Sequence, residues 1–104
     1  MTQNPITSLE DLDIIDIKSK QAPQIIFKHS TRCNISDDAF QELYKSDFSI
    51  HYLDLLKYRE VSDAIATKYQ ISHKSPQILI IKDGVCVYNE SHWKIKNELI
   101  AAYL

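Results

Sequence analysis

Gln24-Ile25-Ile26-Phe27-Lys28-His29-Ser30-Thr31-Arg32-Cys33-Asn34-Ile35-Ser36 is the stretch on which the fold turns. Gln24 to Lys28 is a short apolar run of the kind that forms a buried strand. It stops at His29-Ser30-Thr31-Arg32-Cys33, and the spacing predicts a helix from near Asn34. Ile35, Ala39, Phe40 and Leu43 share one face of that helix, and Asp37 and Asp38 lie in its first turn, where negative charge suits the helix dipole. A buried strand thus passes through a polar turn into a helix, with a cysteine at the junction.

Upstream, Thr7 and Glu10 form a capping-box pattern ahead of Leu9, Leu12 and Ile15, which predicts a first helix. Downstream, Ser49 to Leu55 reads as a strand, and Arg59 to Tyr69 as a helix with Val61, Ala64, Ile65 and Tyr69 inward. Ser75-Pro76 breaks the chain before its most apolar strand, Gln77 to Lys82. Asp83-Gly84 is a hairpin signal leading into Val85-Cys86-Val87-Tyr88. Trp93 marks the way into a last helix with Ile95, Leu99, Ile100 and Tyr103 inward. Strand–helix–strand implies a parallel pair, and the hairpin adds an antiparallel one. The expected fold is α/β: one domain over 1–104 with a mixed central sheet of about four strands and helices on both faces. A thioredoxin-like domain has that plan.

Composition narrows the function. The chain has 104 residues, a net charge of −2 and no basic block, which argues against nucleic acid as a partner. No apolar run approaches the roughly 20 residues of a membrane helix. Met1-Thr2-Gln3-Asn4-Pro5 lacks the basic-then-apolar pattern of a secretion signal. The single glycine, Gly84, excludes phosphate-binding loops and dinucleotide fingerprints, which need several. Two cysteines, Cys33 and Cys86, are too few for a disulfide scaffold or a cysteine-rich zinc site, and a reducing cytoplasm is the expected location.

Cys33 carries the chemistry. A helix start offers unpaired N–H groups and partial positive charge, which with Arg32 favour the reactive thiolate, so a lowered thiol pKa is expected. Ser36 stands where a Cys-x-x-Cys protein has its resolving thiol. A hydroxyl cannot resolve a mixed disulfide but can donate a hydrogen bond to the thiolate. Cys33-Asn34-Ile35-Ser36 therefore reads as a monothiol exchange site. Pro76, 76 − 33 = 43 residues later, is placed like the proline of thioredoxin-like folds that is cis and packs beside the active cysteine.

His29 through Ser36 resembles the active-site segment of the YtxJ-type monothiol bacilliredoxins. Ser75-Pro76-Gln77, Ser91-His92-Trp93, Arg59 and the stretch through Ala66 resemble that family's later motifs, in the same order. The resemblance implies a thioredoxin fold and thiol–disulfide exchange that removes bacillithiol, a low-molecular-weight thiol, from client proteins. Cys33 and Ser36 would be catalytic. His29, Thr31, Arg32 and Asn34 would stabilise the thiolate or form its rim, and Ser75, Pro76 and His92 would meet the substrate. The implied partners are bacillithiolated proteins and a low-molecular-weight thiol, with no bound cofactor and a monomer or weak dimer. Two features depart from the family: Asn34 replaces a proline, and Lys74 replaces an acidic residue.

The bland readings concern the remaining candidates. Cys86, flanked by valines, reads as a small buried hydrophobe. His29, His51, His73 and His92 are dispersed and lack metal-ligand spacing, so no metal is expected. Trp93 reads as core or rim packing. The alternative functions are an iron–sulfur carrier of the monothiol-glutaredoxin type, with Cys33 as ligand, and a client-binding module without turnover.

Overall fold

The computed structural model describes residues 1–104. Its elements are β1 (Thr2–Pro5), α1 (Leu9–Ser19), β2 (Gln24–His29), α2 (Asn34–Tyr44), β3 (Ser49–Asp54), α3 (Arg59–Tyr69), β4 (Gln77–Lys82), β5 (Val85–Ser91), a 3-10 turn (His92–Lys94) and α4 (Asn97–Ala101). The five strands lie in the order β1-β3-β2-β4-β5. The β2–β3 pair is parallel and the β4–β5 hairpin antiparallel, as the element order implies.

The sheet has one strand beyond the four expected. β1 pairs in parallel with β3 at the edge. Thr-Gln-Asn-Pro shows no apolar alternation, so periodicity could not reveal it. Backbone pairing and the Asn4 amide, which donates to Ser49 Oγ and the Ile50 carbonyl, hold it in place. Pro5 is tolerated because an edge strand has a side that need not pair.

Alternation along β2 sorts the core. Ile25 and Phe27 join Ala39 and Leu43 of α2, with Ile95 and Ile100, on one face. Ile26 joins Leu12 and Ile15 of α1 and Val61, Ile65 and Tyr69 of α3 on the other. Helices therefore cover both faces, and β2 has no face toward water.

Three local expectations are corrected. The first helix is capped by Ser8, not Thr7: Ser8 Oγ accepts from the Asp11 N–H, and Asp11 in turn accepts from the Thr7 N–H. The cap starts one residue later, so Leu9 falls outside the buried stripe. Leu99 and Tyr103 are also exposed, because α4 is only five residues long and buries one of them, Ile100. Tyr103 instead stacks on Tyr88 with ring centroids 4.4 Å apart.

At the hairpin, Asp83 and Gly84 both have positive φ (52° and 74°), the conformation that a two-residue turn with right-handed twist requires. A bulge follows, since Ile80 pairs with Tyr88 while Ile81 pairs with Cys86. The extra residue, Val87, sends Cys86 and Tyr88 to opposite faces. Cys86 packs with α1 and α3, Tyr88 with α2.

Candidate active site around Cys33

Cys33 is the N-cap of α2, in extended backbone (φ −116°, ψ 124°), and is partly exposed. No backbone N–H of the helix start reaches its side chain. Thr31, Arg32 and Asn34 are exposed around it.

Ser36 does not serve the sulfur as expected. It is fully buried, its Oγ lies 2.6 Å from His29 Nδ1, and it accepts the Ser30 N–H at 2.9 Å. Burial holds the His29 imidazole below its ordinary pKa, against the opposing pull of Asp37 and Asp54 and of the Ser36 backbone. The ring is therefore neutral at pH 7. Asp37 Oδ1 lies 3.8 Å from Nε2, which favours the proton there and leaves Nδ1 to accept the Ser36 hydroxyl proton. A hydroxyl has one proton, and His29 takes it. Ser36 thus ties the end of β2 to the first turn of α2 and fixes the turn that carries Cys33.

Lys28, the neighbour of His29 on β2, points to the other face. In the sequence it ends an apolar run. It is fully buried, and its Nζ donates to the Ser62 carbonyl (3.0 Å) and to His73 Nδ1 (3.2 Å). Burial lowers its pKa to about 8, with Asp63 opposing, so it is charged at pH 7. An ammonium only donates, so His73 Nδ1 must accept. Ser62 Oγ lies 3.3 Å from the same nitrogen. Burial and then the Lys28 charge hold His73 below its ordinary pKa, with a smaller contribution from Arg59 and opposition from Asp63. A signal for this cluster was available: on a strand buried on both faces, Lys28 has no route to water and must find partners inside.

His73 begins the turn to Ser75–Pro76, whose peptide bond is cis. Gln77 closes that turn by accepting from the Lys74 N–H and donating to the Ser72 carbonyl. Ser75 Oγ is buried without a partner. On the far side, the His92 N–H donates to the Pro76 carbonyl at 3.2 Å, and its ring bonds the Ser91 hydroxyl. The end of β2 therefore anchors both walls of the site, α2 through His29 and the cis-proline turn through Lys28. His92 lies at the Pro76 wall.

Cys86 is elsewhere. It pairs with Ile81, which pairs with Gln24 at the opposite end of β2 from the Cys33 turn. Five residue steps of strand separate these ends, on the order of 17 Å. A disulfide requires Cα atoms within about 7 Å. Cys86 is half-buried rather than buried, its thiol donates to the Tyr88 carbonyl, and burial raises its pKa. No three His, Cys, Asp or Glu side chains converge on a point that would hold a metal.

The family model of the monothiol bacilliredoxin BrxC matches residues 4–100. The chain belongs to that family. It is also similar to a solved structure described provisionally as an oxidoreductase with a thioredoxin fold (TM-score 0.87, 28% identity, 98% of this chain and 93% of that one). Thioredoxins of Fasciola hepatica (TM-score 0.70, 18% identity, all of both chains) and Schistosoma mansoni (TM-score 0.71, 20% identity, all of both chains) share the fold. Membership of the bacilliredoxin family and the thioredoxin fold give the chain a thiol-redox function. No helix is long and apolar enough to cross a membrane.

Proposed function

We propose that this bacilliredoxin-family protein removes bacillithiol from mixed disulfides with client proteins. The Cys33 thiolate attacks the bacillithiol sulfur. A Cys33–bacillithiol disulfide forms, the original disulfide breaks, and the client thiolate leaves and takes a proton from water. A second low-molecular-weight thiol, as thiolate, then attacks the adduct. It releases Cys33 as thiolate and joins the first bacillithiol in a new disulfide, so one free thiol is consumed for each client thiol released.

The observation that carries this reading is the isolation of Cys33. Ser36 cannot resolve the adduct, and Cys86 sits at the far end of the sheet on the α1–α3 face. The adduct must wait for an external thiol. The helix start supports the thiolate as nucleophile and leaving group, and the cis-proline turn receives the client. A cytoplasmic setting suits this chemistry.

The test is intact-mass spectrometry after incubation with oxidised bacillithiol, followed by turnover of a bacillithiolated client with excess bacillithiol. We expect one adduct, on Cys33, and no internal disulfide. Cys33→Ser abolishes turnover and Cys86→Ala retains most of it. A Cys33–Cys86 disulfide, or activity lost in Cys86→Ala, overturns the monothiol route.

A further inference from the structure

The largest concavity of the molecule, about 440 Å³, is lined by Lys74, Glu90, Ser91, His92, Trp93 and Lys94. It adjoins the cis-proline turn, because Lys74 lies two residues before Pro76 and His92 is bonded to the Pro76 carbonyl. On their other side, His92 and Trp93 meet Asp38, Ala39 and Glu42 of α2, the helix that Cys33 caps. The concavity is thus framed by the two elements that form the walls of the thiol site.

Two features of its rim are costly for a purely structural turn. Trp93 is 65% exposed, so an indole expected as packing is held in water. His92, which places it, has φ 57°, a left-handed backbone that is unfavourable for non-glycine residues. Backbone and side-chain hydrogen bonds of His92 pin the strained turn from which the indole projects. Around it stand two ammonium groups, Lys74 and Lys94, and one carboxylate, Glu90. An aromatic face suits the apolar face of a sugar ring, the lysines suit carboxylates, and Glu90 suits an ammonium.

We propose that this concavity seats the non-sulfur part of the low-molecular-weight thiol, with Trp93 against its sugar ring and Lys74 and Lys94 on its carboxylates. Bacillithiol, a cysteine amide-linked to a glucosamine that carries malate, has all three groups. The inference rests on the proposed function for the identity of the thiol. It makes Lys74, Trp93 and Lys94 specificity-determining residues, and it gives a use to Lys74, which departs from the family's acidic pattern.

Trp93 is the only tryptophan, so its fluorescence reports on this site alone. The experiment titrates reduced bacillithiol into Cys33→Ser protein, where no disulfide can form at that position. We expect a saturable change in Trp93 emission. The Lys74→Glu/Lys94→Glu double variant, on the same background, raises Kd at least tenfold. So does replacing bacillithiol with glutathione, which has carboxylates but no sugar. Both lysines are exposed, circular dichroism checks the fold, and Lys94→Glu alone serves as the milder variant. Calorimetric titration of Trp93→Ala should show the same loss without relying on fluorescence. Equal affinity in the charge variants, equal affinity for glutathione, or no binding overturns the seat. Wild-type turnover of a bacillithiolated client is measured alongside. Turnover without lysine-dependent binding removes the seat and leaves the proposed function standing, whereas lysine-dependent binding without turnover does the reverse.

Discussion

Ser36 shows how much a single position can conceal. Its place three residues after Cys33 is plain in the sequence, and so is its inability to resolve a disulfide. Its true partner is not, because that depends on where the end of β2 carries His29 and on which ring nitrogen holds the proton. Removing the hydroxyl leaves the Ser30 N–H without its acceptor and His29 Nδ1 without a donor in a buried site. Ser36→Ala should therefore cost about 1–3 kcal/mol of stability, seen as a lower urea midpoint. No loss would mean that water replaces the hydroxyl. Asn34 gives the opposite case. It is the first helical residue, and Cys33 already has the extended backbone that a following proline demands. Asn34→Pro should stabilise the protein by roughly 0.4–1 kcal/mol, checked by the same denaturation, because it restricts the unfolded chain at a compatible site. A destabilised variant would show that the Asn34 N–H or amide has a partner in solution.

Among the elements, β2 does most to build the site. Its last two residues send polar groups to opposite faces, His29 to α2 and Lys28 to α3 and the cis-proline turn. Lys28 is an expensive anchor, since its ammonium is buried against one carbonyl and one imidazole with no carboxylate in contact. Replacing such a charge with an apolar chain of similar length is often neutral or stabilising by roughly 1–4 kcal/mol. Lys28→Met should accordingly hold or raise global stability while freeing the turn at 72–76. Amide exchange would then speed up at His73 to Gln77 and stay unchanged in β2. A large global loss instead would show that the ammonium is a net stabiliser. The elements themselves were largely legible: α3 and β4 have the predicted bounds, because helical and strand periodicities there are strong. The polar edge strand β1 was not, and the last helix was legible in its presence but not in its short length, because edge pairing and the extent of a one-turn helix depend on neighbours rather than on their own patterns.

At the scale of the whole molecule, the fold buries two imidazoles, His29 and His51, and partly desolvates a third, the more exposed His73. His29 lies against α2, His73 against Lys28, and His51 on β3 bonded to Gln24 Oε1 at 2.8 Å. All three are held below the ordinary histidine value of 6.5, with burial the largest cause in each; for His51, Lys18 adds to it and Asp11 opposes it. The sign follows from proton counting. As pH falls through 6.5, the unfolded chain takes up protons that the folded chain still refuses, so the unfolded state gains. Stability contributed by these groups is complete above 6.5 and drains away as pH drops toward their folded values. The alkaline side is less clean, since Lys28 favours folding as pH rises past about 8 while the raised thiol of Cys86 works against it. Urea unfolding at pH 7.5, 6.5, 5.5 and 5.0 is therefore the informative series. The midpoint should change little between the first two values and fall across the rest. His51→Gln/His73→Gln, which keeps a polar side chain at each site but removes two titrating groups, should show a shallower fall. An equally steep acid limb in that variant would assign the loss to carboxylates and refute the histidine origin.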